Sequence, residues 1–135
     1  MTTTQRETHY SVAGALVEAL ADRDFDRIGD TLSDGATLAA LVPGGLREWS
    51  GRAEVCAAFD RWFGDATAYQ FQEANLGDVG AQSSTLALHW RVRMQSARVG
   101  EGWFVVDQQV FADTDEDGRI AKIRLLCSGY VPDNS

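Results

Sequence analysis

The stretch that decides the fold is WFVVDQQVFADTDEDGRIAKIRLLCSGYV, which runs from Trp103 to Val131. Its two apolar halves favour long strands, because β-branched and aromatic residues are frequent in sheets. An acidic segment ending at Gly118 separates the halves and predicts a hairpin turn in which the glycine supplies a positive φ. The stretch therefore predicts two antiparallel strands near the end of the chain.

Three helices are predicted upstream of these strands. Apolar residues at helical spacing predict a long first helix from Glu7 to Ala21 and a short second helix that continues to Leu32. A third helix begins after Ser50, which we expect to be its N-cap. Its buried stripe is predicted to consist of Val55, Phe59, Trp62 and Phe63.

Further strands are predicted over residues 36–42, 46–49, 69–76 and 85–95. The last of these has the clearest alternation. Its predicted buried face carries Leu86, Leu88, Trp90, Val92 and Met94, and its other face Ala87, His89, Arg91, Arg93 and Gln95. Helices grouped against one face of a curved antiparallel sheet define an α+β domain, and this is the predicted fold class.

Composition limits the function classes. The chain has 135 residues, is 44% hydrophobic and predicts one domain over 1–135. Its net charge of −8 argues against nucleic acid and against an anionic membrane surface, since both attract basic side chains. No apolar run approaches the roughly 20 residues of a membrane span. We therefore expect a soluble, cytoplasmic protein, and the preference for arginine over lysine is typical of a bacterium.

Metal and cofactor chemistry is not expected. The two cysteines, Cys56 and Cys127, lie far apart in apolar surroundings and are predicted to be free, buried thiols. The chain has only two histidines, His9 and His89, so a protein-bound zinc or iron site is not predicted. The expectation is a protein without a metal or another cofactor.

Three segments resemble one family when taken in order: ALVEALADRDFDRIGDTLSDGATL at 15–38, WSGRAEVCAAFDRWF at 49–63 and VFADTDEDGRIAKIRLL at 110–126. The chain resembles the nuclear transport factor 2-like superfamily, which includes ketosteroid isomerases, SnoaL-like polyketide cyclases and limonene epoxide hydrolases. The resemblance implies a cone-shaped domain whose sheet wraps around the long first helix and encloses a deep, mostly apolar pocket. It also implies a homodimer formed through the outer face of the sheet.

The catalytic residues of the ketosteroid isomerases are not retained. The positions that match their oxyanion tyrosine, general-base aspartate and supporting tyrosine are Leu16, Ala40 and Phe59. Their protonated aspartate on the fifth strand corresponds to Gln109. Steroid isomerisation by that machinery is therefore not expected. The predicted ligand-binding residues are Leu16, Ala40, Phe59, Trp62, Phe63, Leu88, Trp90, Ile123, Leu125 and Cys127.

Two registers are open for the strand that carries Asp107. Asp107 and Gln109 share one face because successive strand residues alternate. In one register both point into the pocket, where a desolvated Asp107 is an acid or base and Gln109 polarises a carbonyl. In the other, Phe104, Val106 and Val110 point inward. The second set is the more apolar, whereas the family alignment favours the first, which we adopt as the prediction.

Two functions and a purely structural role follow. The first is a cofactor-independent enzyme that acts on an apolar or polycyclic small molecule by acid–base chemistry, such as cyclisation, isomerisation, dehydration or epoxide opening. The second is a non-catalytic domain that binds a small apolar ligand or acts as an accessory dimerisation module. The structural role is a homodimer without chemistry of its own. The sequence favours the enzyme, with Asp107 and Gln109 as its catalytic residues.

Overall fold

The computed structural model describes residues 2–78 and 85–133, with side chains from 12–77 and 85–133. Its helices are α1 (Thr2–Ala21), α2 (Phe25–Asp30) and α3 (Arg52–Phe63). Arg23 adopts a positive φ of 53°, which ends α1, and the Asp24 carboxylate caps α2 by accepting the Arg27 N–H. None of the helices in the described part of the chain has both the length and the apolar character of a membrane span.

Seven strands form one sheet. They are β1 (Leu32–Val42), β2 (Gly45–Ser50), β3 (Ala68–Asp78), β4 (Thr85–Gln95), β5 (Trp103–Thr114), β6 (Ile120–Cys127) and β7 (Val131–Asp133). Their order is β2-β1-β6-β5-β4-β3, and β7 also pairs with β5. All neighbours are antiparallel except β1 and β6, whose parallel pairing makes the curved sheet mixed. The predicted α+β class and cone-shaped fold are confirmed, and the parallel contact was not anticipated.

The sheet has an inner face, which packs on the helices, and an outer face. On β4, Leu86, Leu88 and Trp90 are completely or almost completely buried on the inner face. His89 and Arg91 lie on the outer face, so the predicted alternation is confirmed. Rings join the sheet to α3, since Phe59 lies 6.4 Å from Trp90 between centroids. The core therefore fills the space between the inner face and the helices.

Several predicted boundaries were wrong, and α1 begins at Thr2 rather than at Glu7. The predicted second helix stops at Asp30 because the Thr31 carbonyl accepts the Ile120 N–H at 2.8 Å and draws the chain into β1, four residues earlier than expected. Gly51, not Ser50, is the N-cap of α3; its φ of +93° favours glycine, and no side chain caps this helix end.

The hairpin between β5 and β6 has the predicted turn. Gly118 has a φ of +80°, as expected of the residue that reverses the chain. The Asp115 carboxylate accepts the N–H groups of Asp117 at 2.9 Å and Arg119 at 3.0 Å, which holds the acidic segment as a local turn. These bonds account for the acidic segment as a structural feature of the hairpin.

Candidate functional site on the inner face of the sheet

The register of β5 differs from the prediction. Val106, Gln108 and Val110 point to the inner face and are at most 2% exposed. Asp107 and Gln109 therefore lie on the outer face, opposite Arg91 and His89 of β4. The prediction that Asp107 and Gln109 enter the pocket was wrong, and the more apolar of the two registers is the one adopted.

The cost of burying charge explains this choice. An isolated carboxylate inside an apolar core is strongly unfavourable, whereas a neutral amide needs only hydrogen-bond partners. On the outer face, Asp107 meets the cationic Arg91 and the ring of His89. On the inner face, the amide of Gln108 finds both a donor and an acceptor. The register thus places the charged residue outside and the neutral polar residue inside.

Gln108 is the polar centre of the inner face. Its side chain is completely buried, and its Oε1 accepts the indole N–H of Trp90 at 2.6 Å. Its Nε2 donates to the Cys127 Sγ at 3.4 Å. An amide nitrogen carries two hydrogens, and the second has no hydrogen-bond partner among the residues that the structure describes. Gln108 is therefore held at both ends and keeps one donor for a ligand.

The predicted ligand-binding residues come together in the core, and two of them, Trp90 and Cys127, contact Gln108. All ten belong to the inner core or pack directly against it: Leu16, Ala40, Phe59, Trp62, Phe63, Leu88, Trp90, Ile123, Leu125 and Cys127. Leu16, Phe59, Phe63 and Trp90 are completely buried, so no space large enough for water adjoins them. Contact with a ligand stays a prediction, and in this closed conformation these side chains contact one another.

The edge of this core is closed by Tyr130. Its hydroxyl donates to the Trp62 carbonyl at 2.7 Å and accepts from Arg98 at 3.1 Å. Burial raises the pKa of the Tyr130 hydroxyl, and the hydrogen bond to Asp65 raises the pKa of the Arg98 guanidinium. Sequence reasoning missed this group, because its members are far apart in the chain and no local pattern marks them.

Gln108 was also missed, although a signal was present. It occupies the inward phase of the most apolar alternating set on β5, with Phe104, Val106 and Val110. A single amide in an otherwise apolar face is itself a sign of a buried, hydrogen-bonded group. Apolar alternation alone would therefore have placed Gln108 inside.

The outer face carries a charged cluster. The Asp107 carboxylate contacts the His89 Nε2 at 3.0 Å and accepts from the Arg91 Nε at 3.1 Å. The hydrogen bond from Arg91 to Asp107 raises the pKa of that guanidinium. Gln109 lies beside His89 and donates its amide to the Leu88 carbonyl at 2.9 Å. The predicted catalytic pair is thus held in a polar network on the side away from the core.

Beside this cluster the outer face is apolar. Leu46, Leu41 and Leu126 lie side by side on β2, β1 and β6 and are 50–57% exposed; we call them the leucine row. Phe111 is also exposed, on the neighbouring strand. A cleft of about 380 Å³ nearby is bordered by Glu48, Lys122 and other residues of β1, β2 and β6. The exposed leucines are available to a partner.

The cysteines and the potential metal ligands are dispersed in the described part of the chain. In the regions 12–77 and 85–133, no group of three or more His, Cys, Asp or Glu side chains is placed to hold a metal ion. Cys56 and Cys127 are free thiols, and burial raises the pKa of Cys56, which favours the unreactive thiol over the thiolate. The site around Gln108 on the inner face, which we call the inner site, offers one amide donor surrounded by apolar and aromatic side chains.

The curved mixed sheet wrapped around three helices defines a class of cone-shaped α+β domains. Residues 13–123 match the family model described as a SnoaL-like domain. The chain belongs to this SnoaL-like family, and the resemblance drawn from the sequence is confirmed. A search among curated proteins found no match.

Solved structures share the fold at low sequence identity. A phenazine biosynthesis-related protein from Pseudomonas aeruginosa is 10% identical, with a TM-score of 0.69 over 95% of this chain and 86% of that one. AusH from Aspergillus nidulans is 17% identical, with a TM-score of 0.69 over 92% and 86%. An LEH-like epoxide hydrolase from M. tuberculosis is 16% identical, with a TM-score of 0.63 over 90% and 84%. These similarities show the fold alone.

Proposed function

We propose that this protein binds an apolar small molecule bearing one hydrogen-bond acceptor, such as a carbonyl, in the inner site around Gln108. The observation that carries the proposal is the buried amide of Gln108, which Trp90 and Cys127 hold while one N–H stays without a partner. Apolar pockets with a few fixed polar groups are the usual architecture of small-molecule sites. The surrounding side chains give affinity, and the amide orients the ligand.

The geometry favours binding, or carbonyl polarisation, over acid–base turnover at the inner site. Asp107, the predicted acid or base, lies on the opposite face. Among the residues with described side chains, the buried polar ones are Thr31, Ser96 and Gln108, and none of them carries a charge. A neutral amide stabilises a carbonyl or enolate oxygen but is not a base at neutral pH.

Two matched ligands test the proposal. 2-Acetylnaphthalene and 2-ethylnaphthalene have the same rings, and only the first carries a carbonyl oxygen. We expect the wild-type protein to bind the ketone about fivefold more tightly, which is the usual net effect of one hydrogen bond. Fluorescence titration of Gln108→Met should show this preference lost. The control Gln109→Met, one residue away on the outer face, should retain it.

Equal binding of the two ligands to the wild-type protein would contradict the role of Gln108. So would a preference for the ketone that survives in Gln108→Met and is lost in Gln109→Met. The comparison of ligands within one variant removes the effect of stability, since a partly unfolded variant weakens both ligands alike.

A second candidate keeps the predicted acid–base role of Asp107. The observation that favours it is the contact between the Asp107 carboxylate and the His89 ring at 3.0 Å, since a carboxylate that orients an imidazole is a common arrangement in general acid–base catalysis. The substrate would then lie on the outer face, beside Gln109. Asp107→Asn should abolish such turnover and Gln108→Met should not, which is the reverse of what the inner site predicts.

We also propose that the protein forms a homodimer through the leucine row. Leu41, Leu46 and Leu126 make an uncharged strip that a second copy would bury, because large exposed apolar patches mark interfaces. Glu48 and Arg124 lie two residues away from Leu46 and Leu126 on the same strands, so a two-fold-related copy offers each charge an opposite one. Leu126→Glu should convert the dimer to a monomer in sedimentation equilibrium, whereas Leu76→Glu, on the edge strand β3, should not.

A further inference from the structure

The chain between β6 and β7 leaves the sheet next to the inner site. Cys127 pairs with Gln108, and Val131 pairs with Val105 on the same edge of β5. Three residues, 128–130, therefore lie opposite only two residues of β5, and the extra residue makes the chain bulge. We call residues 128–130 the strap.

The strap is held at both ends and in the middle. At one end, the Ser128 N–H donates to the Asp107 carbonyl at 2.9 Å, and the Ser128 Oγ accepts the Asp107 N–H at 2.9 Å. In the middle, Gly129 has a φ of +78°, and a Cβ placed there would lie 2.6 Å from the Cγ of Pro43. At the other end, the Tyr130 hydroxyl donates to the Trp62 carbonyl, close to the end of α3. The strap thus bridges the sheet to the β1–β2 turn and to α3.

The strap is joined to a series of hydrogen bonds that runs through Cys127 and Gln108 to Trp90. The Gly129 N–H donates to the Cys127 Sγ at 3.3 Å, and the same sulfur accepts from the Gln108 amide. Gln108 in turn accepts from Trp90. Because Gln108 and Trp90 are completely buried, a ligand reaches them only after a neighbouring wall moves.

We propose that the strap is the gate of the inner site and that release of Tyr130 from Trp62 and Arg98 admits the ligand. This inference rests on the proposed function, since it names how that same site opens. The strap is a suitable element to move. It is three residues long, and its hydrogen bonds to β5 are the two between Ser128 and the Asp107 backbone. Its outer anchor depends on the Tyr130 side chain, whereas β6 and β4 are paired along their whole length.

Two tyrosines allow a matched experiment. Tyr130 and Tyr69 are both largely buried and each donates to a carbonyl near the end of a helix, Trp62 for Tyr130 and Leu20 for Tyr69. We would follow hydrogen exchange of the Trp90 indole N–H by NMR and the association rate of 2-acetylnaphthalene. Tyr130→Phe removes the hydroxyl that donates to Trp62 and accepts from Arg98, so it should raise both rates at least about fivefold, the effect expected for one lost hydrogen bond. Tyr69→Phe should leave both close to the wild-type values.

Gly129→Ala provides a second route to the open state. Both the positive φ and the close approach to Pro43 oppose a Cβ at this position, so this variant should accelerate Trp90 exchange at least as much as Tyr130→Phe. Unchanged exchange in both strap variants would overturn the gate. An equal acceleration in Tyr69→Phe would also overturn it, because the opening would then be global.

The possible results distinguish a wrong gate from a wrong ligand class. If the ketone does not bind but Tyr130→Phe selectively accelerates Trp90 exchange, the gate is supported and the proposed ligand class is wrong. If the ketone binds through Gln108 while the strap variants change neither rate, the binding function stands and the gate is overturned.

Discussion

The two faces of β5 carry different kinds of polar residue, although these residues are neighbours in the sequence. Gln108 points to the inner face, is completely buried and has its amide held by Trp90 and Cys127. Asp107 points to the outer face, is partly exposed and is held by two side chains that can carry positive charge. The inner face carries a neutral, oriented donor, and the outer face carries charge.

This difference is the basis for the proposed division between ligand recognition and assembly. A single fixed amide in an apolar surrounding can distinguish a carbonyl from a hydrocarbon, because there is no water to compete for it. An exposed cluster of opposite charges contributes little to stability, but its arrangement beside the leucine row can set the register of a partner. The inner face therefore suits a ligand and the outer face a second protein surface.

The largest expected effect comes from placing a charge on each face in turn. Gln108→Glu introduces a carboxyl group that must stay protonated in the core at pH 7, which costs about 4 kcal/mol for a reference pKa of about 4.3. Gln109→Glu, on the outer face, should cost less than about 1 kcal/mol. Urea denaturation of both variants at pH 7 measures the difference.

The loss of folding stability in Gln108→Glu should depend on pH. Burial raises the folded-state pKa of the new carboxyl group, so the folded protein retains a proton that the unfolded chain releases. The loss of stability should therefore be small near pH 4 and grow as the pH rises to 7. A loss that is equal at both pH values, or equal in Gln109→Glu, would contradict the assignment of the two faces.

Trp90→Phe keeps the aromatic ring in the core but removes the N–H that Gln108 accepts. The buried Oε1 of Gln108 is then left without its partner, which should cost about 1–3 kcal/mol in the free energy of unfolding. Trp103→Phe on the outer face is the control. Trp103 stacks under the Arg93 guanidinium at 3.9 Å, an interaction of about 0.5–1 kcal/mol at a partly exposed site. A larger loss for Trp103→Phe would contradict the account.

A smaller effect is expected at the rim of the inner site. The hydrogen bond from Arg98 lowers the pKa of the Asp65 carboxyl. The ionised carboxylate therefore stabilises the folded state at pH values above its reference pKa of 3.8, and this stabilisation is lost as the pH falls. Wild type should exceed Asp65→Asn by about 3 °C in Tm at pH 6, a value discounted for the exposure of the pair. The difference should vanish below about pH 3. A difference that persists there would exclude the ion pair as its cause.

The smallest effect is expected for Asp107→Asn. The variant removes the charge that Arg91 and His89 share, and the interaction is largely solvated. We therefore expect Tm to change by less than about 2 °C in thermal unfolding at pH 7. The affinity for 2-acetylnaphthalene should not change. A loss of affinity in this variant would move recognition to the outer face.

Much of the fold was predictable because its signals are local. The alternation from Leu86 to Met94 determined both faces of β4, and Gly118 marked the hairpin turn. The phase of β5 was predicted wrongly because two hydrophilic residues flank Gln108, and the family alignment outweighed the more apolar phase. The contact of Tyr130 with Trp62 depends on a tertiary fold that brings residues 68 positions apart together. No local pattern encodes such a contact.

A nuclear Overhauser measurement is the most direct test of the inward position of the Gln108 side chain. The indole N–H of Trp90 lies 2.6 Å from the Gln108 Oε1 between heavy atoms, so the indole proton should show a strong cross-peak to the Hγ protons of Gln108. It should show none to the side chains of Asp107 and Gln109. Cross-peaks from Trp90 to Asp107 or Gln109, with none to Gln108, would contradict the account.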